Sequence, residues 1–290
     1  MKRLCVFFVA LFFAAGAVFA NPGNDALVLA AARQDAAAVR RAMAGGANVN
    51  HLRIERTALM EAADRQWLEG VRILLVEFGA NPSFQNAHGE TALMFAAGRN
   101  FNLDIVRSLT DRGANVNAST HQGKTALMFA AQNQNPHMVD FLIERGANVG
   151  ATDTFNRDAL MIAAENNNQF AVARLLRAPG VNHSQATMPE GRTAFIIAAE
   201  RQNMQLVTAF VQSGFDVLRQ NDVTGLPPLL HLIQHRGSFA VIEYLLRSTN
   251  AIASRDRNGN DAMWYLNRFD NGNARLRNLL QEARVSAGMF

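Results

Sequence analysis

Small and apolar residues recur along the chain in short runs, separated by polar and glycine-containing stretches. Seven-residue runs of one type, such as TALMFAA, begin at eight places spaced 32, 34, 34, 33, 35, 34 and 34 residues apart. The runs begin at Asp25, Thr57, Thr91, Thr125, Asp158, Thr193, Pro227 and Asp261. A period of this length indicates a repeat protein, in which each unit buries its apolar face against its neighbours.

Each repeat is predicted to contain two short helices. The Thr or Asp that opens a run favours a helix start because its side chain can accept a backbone N–H bond. The paired alanines that follow allow close packing, and apolar residues at helical spacing, such as Val139, Leu142 and Ile143, predict a second helix. Glycines predict left-handed helix ends at Gly79, Gly113, Gly146 and Gly214. Asparagines that can close the following turns stand at Asn81, Asn115 and Asn148.

The repeats resemble those of the ankyrin family. The family pattern is T-P-L-H-x-A-A, a second helix ending L-L, and then G-A-D-V-N. Here Ala replaces Pro in most copies, and Asn replaces Asp in the closing turn. Methionine fills the usual histidine position at Met60, Met94, Met128 and Met161. The resemblance implies an all-α ankyrin repeat solenoid of about eight helix–turn–helix units over residues 21–290, working as a binding module rather than as an enzyme.

The two ends of the array are predicted to act as soluble caps. Arg40 and Arg41 place charge on the second helix of the first unit. Near the end of the chain an apolar face is formed by Leu276, Leu279, Leu280 and Ala283. The residues expected to face water there are Arg275, Arg277, Gln281, Glu282 and Arg284. Terminal repeats need such a polar outer face to remain soluble.

Residues 1–20 are predicted to be an export signal. Lys2 and Arg3 precede an apolar run from Leu4 to Ala15, and small residues precede a cleavage point before Asn21. The alternative is an uncleaved anchor, which would make the protein a membrane-tethered structural scaffold. The apolar run is marginal for spanning a bilayer, and cleavage is therefore favoured.

Amino-acid composition limits the cellular compartment and the class of partner that we predict. The only cysteine is Cys5, so cleavage would leave no thiol, disulfide or cysteine-based metal site. We predict a bacterial periplasmic protein, with secretion as the second choice. The formal charge of +4 is small, which argues against a nucleic-acid partner. No membrane contact is expected after cleavage, and a monomer binding an unidentified protein is predicted.

No residue pattern predicts catalysis or a cofactor. The sequence contains no nucleophile elbow, phosphate-binding loop or dinucleotide fingerprint. His231 and His235 share one helical face, which leaves a metal-dependent function as a further alternative, but no third ligand is evident. The pair is otherwise expected at the surface or in a groove. Asp256 and its neighbours resemble the start of a calcium loop but coincide with a predicted hairpin, which is the favoured interpretation.

Apolar residues outside the helical faces are a second kind of candidate. Phe155, Leu226 and Ile54 fall in predicted hairpins, where exposure would suggest a partner surface. Phe95, Phe129, Ile162 and Ile197 recur at one repeat's separation. A stripe of this kind is interpreted as core between repeats.

The predicted binding surface follows from stacking the repeats in register. The two positions after each alanine pair form a row along the array, at the ends of the first helices. In ankyrin proteins these helices and the hairpins line the concave groove that contacts partners. Arginine and aromatic residues contribute strongly to interfaces. The predicted partner-binding residues are Asp64, Arg65, Arg99, Gln132, Asn133, Glu165, Asn166, Glu200, Arg201 and His235 in the row, with His88, His121 and Phe155 in hairpins. Further candidates at the hairpin tips are Arg56, Lys124, Arg157 and Arg192.

Overall fold

The computed structural model describes residues 21–99, 102–182, 190–221 and 223–289. These residues form 16 α-helices in eight consecutive pairs and no β-strand. The first helices are α1 (Pro22–Ala32), α3 (Ala58–Asp64), α5 (Ala92–Gly98), α7 (Ala126–Ala131), α9 (Ala159–Glu165), α11 (Ala194–Glu200), α13 (Pro228–Gln234) and α15 (Ala262–Phe269). The second helices are α2 (Ala36–Ala44), α4 (Leu68–Arg72), α6 (Leu103–Asp111), α8 (Pro136–Glu144), α10 (Gln169–Leu175), α12 (Met204–Gln212), α14 (Phe239–Ser248) and α16 (Ala274–Ser286). The all-α repeat fold is therefore confirmed.

The sequence also raised the question of a membrane anchor. None of the helices in the described ranges combines the length and the apolar character needed to cross a bilayer. The predicted export signal, residues 1–20, lies outside the described residues.

The helix starts follow the predicted capping chemistry. Thr57 accepts the N–H of Met60 at 3.2 Å, and Asp158 accepts the N–H of Met161 at 2.8 Å. Equivalent bonds are made by Thr91, Thr125, Thr193 and Asp261. Such a bond satisfies a backbone donor that has no partner within the helix.

The first repeat departs from the predicted start at Asp25. Helix α1 begins at Pro22, and Asn21 is its capping residue. Proline fits the first helical position because its missing N–H would have no partner there. Asp25 instead lies in the first turn, where its carboxylate is 3.1 Å from the His51 ring.

The second helices end as predicted. Gly79, Gly113, Gly146 and Gly214 have φ of +63°, +85°, +84° and +82°. Other residues are strained in this left-handed region, which glycine adopts freely. The side-chain oxygens of Asn81 and Asn148 accept backbone N–H bonds two residues later, which confirms the predicted turn closure at both positions.

The core lies between successive helix pairs. The paired alanines of the first helices are fully buried, as at Ala62 and Ala63, and Met60, Met94, Met128 and Met161 are each at most 2% exposed. Because alanine is small, one first helix can pack closely on the next: α9 contacts both α7 and α11. Dense packing of this kind makes each repeat depend on its neighbours.

Contacts divide the chain into two compact units. Unit 1 takes in α1–α4, α6 and α5 up to Ala96, and ends at Asn115. Unit 2 takes in residues from Val116 onwards with α7–α16, together with the short segment that begins at Ala97. Each unit is a stack of paired helices.

One second helix of unit 1 is irregular. Gly79 lies 12 residues after Trp67, the residue before this second helix, whereas Gly113 lies 11 after Asn102 and Gly146 lies 11 after Asn135. The additional residue is accommodated by a π-helical turn, Ile73–Glu77, which continues α4. A single inserted residue commonly produces such a turn because the helix widens locally instead of shifting its ends. As a result Ile73, Leu74 and Leu75 are all buried, whereas Val76 is 57% exposed.

The last helix forms the predicted apolar face. Leu276, Leu279 and Leu280 are buried in the contact of α16 with α14 and α15. Arg275 is exposed, and its guanidinium lies 3.8 Å from the centre of the Phe239 ring. This arginine therefore covers apolar surface with its side chain while its charge remains in water.

Candidate functional site

The hairpins between repeats are held by side chains that bond to their own backbone. Asp153 accepts the N–H groups of Phe155 and Arg157, both at 2.9 Å. Asp256 does the same for Asn258 and Asn260. The Asp256 carboxylate also accepts the Tyr265 hydroxyl at 3.0 Å. The segment at Asp256 is thus a hairpin, as favoured over the calcium loop.

Arginines at the bases of three hairpins bind carboxylates at the ends of the following first helices. The arginine stands directly before the helix-capping residue, and its partner lies eight residues further on. The nitrogen–oxygen distances are 2.8 Å for Arg56–Asp64, 3.0 Å for Arg157–Glu165 and 3.3 Å for Arg192–Glu200. These pairs tie each hairpin to the far end of its helix. Both members of each pair were predicted as candidates for partner binding, the carboxylates in the row and the arginines at hairpin tips, but each is already engaged within its own repeat.

The pair in the α9 repeat is the most enclosed. Arg157 also contacts Asp153 at 2.8 Å, and the Asp153 side chain is fully buried. Burial acts to lower the pKa of Arg157, but its bonds to Asp153 and Glu165 raise that pKa above the usual value. Arg157 therefore stays charged and supplies the countercharge that a buried carboxylate needs.

The capping residue of the same repeat is unusual because it ionises. Asp158 is 2% exposed, and burial raises its pKa from 3.8 to about 6, against the opposing effect of backbone N–H bonds. The charge of Asp153 adds to the increase. Threonine fills this position in four other repeats and carries no charge to desolvate.

The two histidines on α13 are close but differ in exposure. The ring centres of His231 and His235 are 4.4 Å apart. His235 is exposed, whereas His231 is 3% exposed and its Nδ1 has no hydrogen-bond partner. The expectation that both lie at the surface or in a groove is therefore wrong for His231, which is buried. Burial, followed by the neighbouring His231, lowers the pKa of His235.

A carboxylate does approach this histidine pair. Glu200 on α11 lies 3.8 Å from the His231 Nε2, a contact that sequence spacing did not indicate. No group of three His, Cys, Asp or Glu side chains in the described ranges is arranged to hold a metal ion.

The remaining row residues differ in what they offer to a partner. The exposed ones are Arg65, Arg99, Gln132, Asn166, Arg201 and His235. Asn133 is partly buried, and its amide donates to the Ala97 carbonyl at 2.6 Å. Asn133 therefore links neighbouring repeats. Of the exposed residues predicted to bind a partner, in the row or in hairpins, Arg65 and His88 belong to unit 1. All the others belong to unit 2.

The hairpin candidates are mostly exposed. His88 and His121 both face solvent in turns. Phe155 is 56% exposed and Ile54 81% exposed. Leu226 is only 8% exposed, so its predicted exposure is wrong. In the apolar stripe, Ile162 and Ile197 are buried and Phe95 and Phe129 are partly exposed; Arg56 lies 4.3 Å from the centre of the Phe95 ring.

A separate cleft lies on the second helices of unit 1. Its volume is about 680 Å³, and its lining includes Val76, Arg72 and Arg112. Arg40 and Glu77 close one side with an ion pair of 2.6 Å. The π-helical turn supplies most of its apolar wall.

A family model for ankyrin repeats matches the chain three times, over residues 68–153, 127–221 and 160–256. The chain belongs to the ankyrin repeat family. A search of curated proteins gave no match. Ankyrin repeats indicate a protein–protein interaction module, and ankyrin repeat proteins are generally not enzymes.

This ankyrin chain holds its hairpins without the usual family histidine. The methionines at that position are buried between repeats, as described above. In place of that histidine, the described hairpins have Asp side chains bonded to their own backbone, and arginine–carboxylate pairs tie three hairpins to the following helices. The spacing of arginine and carboxylate was visible in the sequence, and it was the signal that could have revealed these pairs.

Sequence reasoning also missed a set of polar residues between the paired helices. Asparagines cap the second helices at Asn102, Asn135, Asn168, Asn203 and Asn273. An asparagine before an apolar helical run is a recognised start signal and could have identified them. The exposed pair Trp264 and Arg268 on α15 was missed as well, because the last repeat departs most from the repeated pattern.

Proposed function

We propose that this chain is an exported, periplasmic module that binds a protein partner through the ends of its first helices and its hairpin tips. The main support is that the row keeps exposed arginines, notably Arg201, after its carboxylates have been engaged internally. Exposed Phe155 adds apolar contact area at a hairpin tip. Arginine and aromatic residues of this kind dominate binding at interfaces.

The compartment is proposed from the N-terminal pattern. Lys2 and Arg3, the apolar run and the small residues before Asn21 are typical of a cleaved export signal. Secretion beyond the cell envelope remains the second location.

Partner capture in the cell tests the proposal. The tagged full chain is expressed in a Gram-negative host, crosslinked gently, and purified from the periplasmic fraction. We expect one dominant envelope protein to co-purify. Its recovery should fall strongly when Arg99 and Arg201 are both replaced by alanine, because each of these side chains is exposed in the row of unit 2.

A matched control distinguishes loss of the row arginines from a general loss of positive charge. The variant Arg177→Ala, Arg247→Ala removes the same charge from outside the row: Arg247 is exposed on α14, and Arg177 is exposed in the turn that follows α10. It should capture the partner normally. Equal loss with both variants would contradict the proposed surface. Recovery of a membrane-bound protein of uncleaved mass would contradict the proposed cleavage and favour the membrane-tethered alternative.

A further inference from the structure

The last three repeats of unit 2 carry a surface whose positive charges are not neutralised. This inference rests on the proposed function and specifies the partner's chemistry. Among the row positions of the repeats beginning at Thr193, Pro227 and Asp261, the only carboxylate is Glu200. Glu200 is exposed, but its charge is balanced within its own repeat by Arg192 at 3.3 Å.

Two arginines of the same row have no such partner. Arg201 and Arg268 are exposed, and no carboxylate in the described ranges lies within 4.0 Å of either guanidinium. His235, exposed on the repeat between them, adds a ring that can donate a hydrogen bond. We call Arg201, His235 and Arg268 the basic strip.

The strip ends beside an exposed aromatic side chain. Trp264 is 41% exposed, although the equivalent positions of earlier repeats hold buried residues such as Met161 and Ile196. The Arg268 guanidinium lies 5.5 Å from the Trp264 ring centre. A cation and an indole on one helical face form a site that accepts an apolar group next to an anionic one.

We infer that the basic strip binds an extended acidic segment of a partner protein, with an apolar side chain of that segment resting on Trp264. The strip crosses three stacked repeats. Because packed helices lie about 8–10 Å apart, Arg201 and Arg268 are separated by about 20 Å. An extended chain covers that distance in about six residues. The segment therefore carries acidic residues about six positions apart, with the apolar residue near one of them.

A peptide fits better than a nucleic acid. A nucleic acid presents regularly spaced phosphates and is bound by clustered Lys and Arg. The strip instead offers two arginines on alternate repeats, in a chain of formal charge +4.

Selection from a random peptide library tests the inference. Phage-displayed random twelve-residue peptides are selected on the full chain purified from the periplasm, in parallel with the variant Arg201→Gln, Arg268→Gln. We expect the wild-type selection to enrich peptides of net negative charge that carry an aromatic or aliphatic residue. The best synthetic peptide should bind the double variant about tenfold more weakly, the effect of losing two exposed ion pairs. Its affinity should also fall as salt rises.

The control variant is Arg177→Gln, Arg247→Gln, which removes two exposed arginines of unit 2 from outside the row, one in the turn after α10 and one on α14. It should bind the selected peptide like the wild type. Enrichment of neutral or basic peptides, no enrichment at all, or equal weakening by the control would overturn the inference. So would tighter binding of a single-stranded DNA oligomer than of the selected peptide.

The outcome of the peptide selection can be told apart from the outcome of the partner-capture experiment. Suppose that a cellular partner is captured through the row arginines but that basic peptides are enriched. This result would support the proposed interaction module and reject the acidic segment as its ligand. Enrichment of acidic peptides without any envelope partner would support the basic strip and reject the proposed periplasmic role.

Discussion

The repeat that begins at Asp158 and the repeat that begins at Asp261 use the same scaffold within unit 2 in opposite ways. In the first, Arg157 stands at the hairpin base and binds both Asp153 and Glu165. In the second, Asn260 occupies the hairpin position, and Arg268 occupies the position of Glu165. One repeat satisfies its charges internally, and the other leaves a cation exposed.

The difference shows that exposed charge cannot be read from residue type alone. Arginine at a hairpin base stabilises the repeat, because its side chain can reach the carboxylate at the end of the following helix. Arg268, at the helix end, has no carboxylate within 4.0 Å among the described residues and remains accessible. The same residue type is therefore structural in one position and available for binding in the other.

The largest expected effect comes from removing the enclosed arginine. Arg157→Met leaves the fully buried Asp153 carboxylate without a cation. We expect the free energy of unfolding to fall by about 2–4 kcal/mol, the cost of breaking a buried ion pair. Urea unfolding followed by circular dichroism measures it. Arg268→Met should change stability by less than about 0.5 kcal/mol, as exposed positions generally do. Similar losses for the two variants would remove the distinction between the repeats.

A pH-dependent effect should follow from the buried capping residue. The pKa of Asp158 is raised from 3.8 to about 6, so the folded chain holds this proton more tightly than the unfolded chain. The stabilisation is therefore fully present below pH 3.8 and is lost as pH rises to about 6. We expect a loss on the order of 2–3 kcal/mol across this window.

The variant Asp158→Thr isolates that contribution. Threonine caps the same position in other repeats without ionising, as Thr193 does for Ile196. Urea unfolding of both proteins at several pH values should show stability of the wild type falling relative to the variant as pH rises. Parallel pH profiles would show that Asp158 does not titrate in this window.

A smaller effect on the free energy of unfolding is expected when a helix-capping residue that does not ionise is removed. Thr193→Ala removes the side-chain bond to the Ile196 N–H. The loss should be about 1 kcal/mol, typical of a threonine cap, and should not vary with pH. Thr154→Ala, at an exposed hairpin position, is the control and should be close to neutral. Faster hydrogen exchange confined to α11 would confirm that the effect is local.

The smallest effect should come from a hairpin arginine that lies nearer to water. Arg192 and Glu200 form the same kind of pair as Arg157 and Glu165, but their side chains are 39% and 34% exposed. Arg192→Gln should therefore lower the free energy of unfolding by only about 0.2–1 kcal/mol. Thermal or urea unfolding in low and high salt tests this value, since the pair should weaken with salt. A loss as large as that for Arg157 would show that enclosure is not what separates the two repeats.

Local sequence signals predicted the fold well. Thr57 and Asp158 cap their helices, and Gly146 ends one, because capping and left-handed turns depend on a few neighbouring residues. The start of α1 was misplaced because Asn21 and Pro22 provide an equally local signal outside the repeated pattern. The surface was predicted less well. Leu226 is buried and Glu165 is paired, and neither outcome follows from the residue type alone. Glu165 meets Arg157 because the hairpin folds back towards the end of the following helix.

The sequence by itself determined the repeat period, the two-helix unit and the membership of the ankyrin family, because each repeat contains its own capping, packing and turn residues. Only the tertiary structure determined which charged side chains have an ion-pair partner and which are exposed. The pairing of Arg157 with Asp153, the burial of His231 and the exposure of Trp264 depend on distances between hairpins, helix ends and neighbouring repeats. Such distances arise when the helices pack, and packing sets both the cost of burying a charge and the partners available to it.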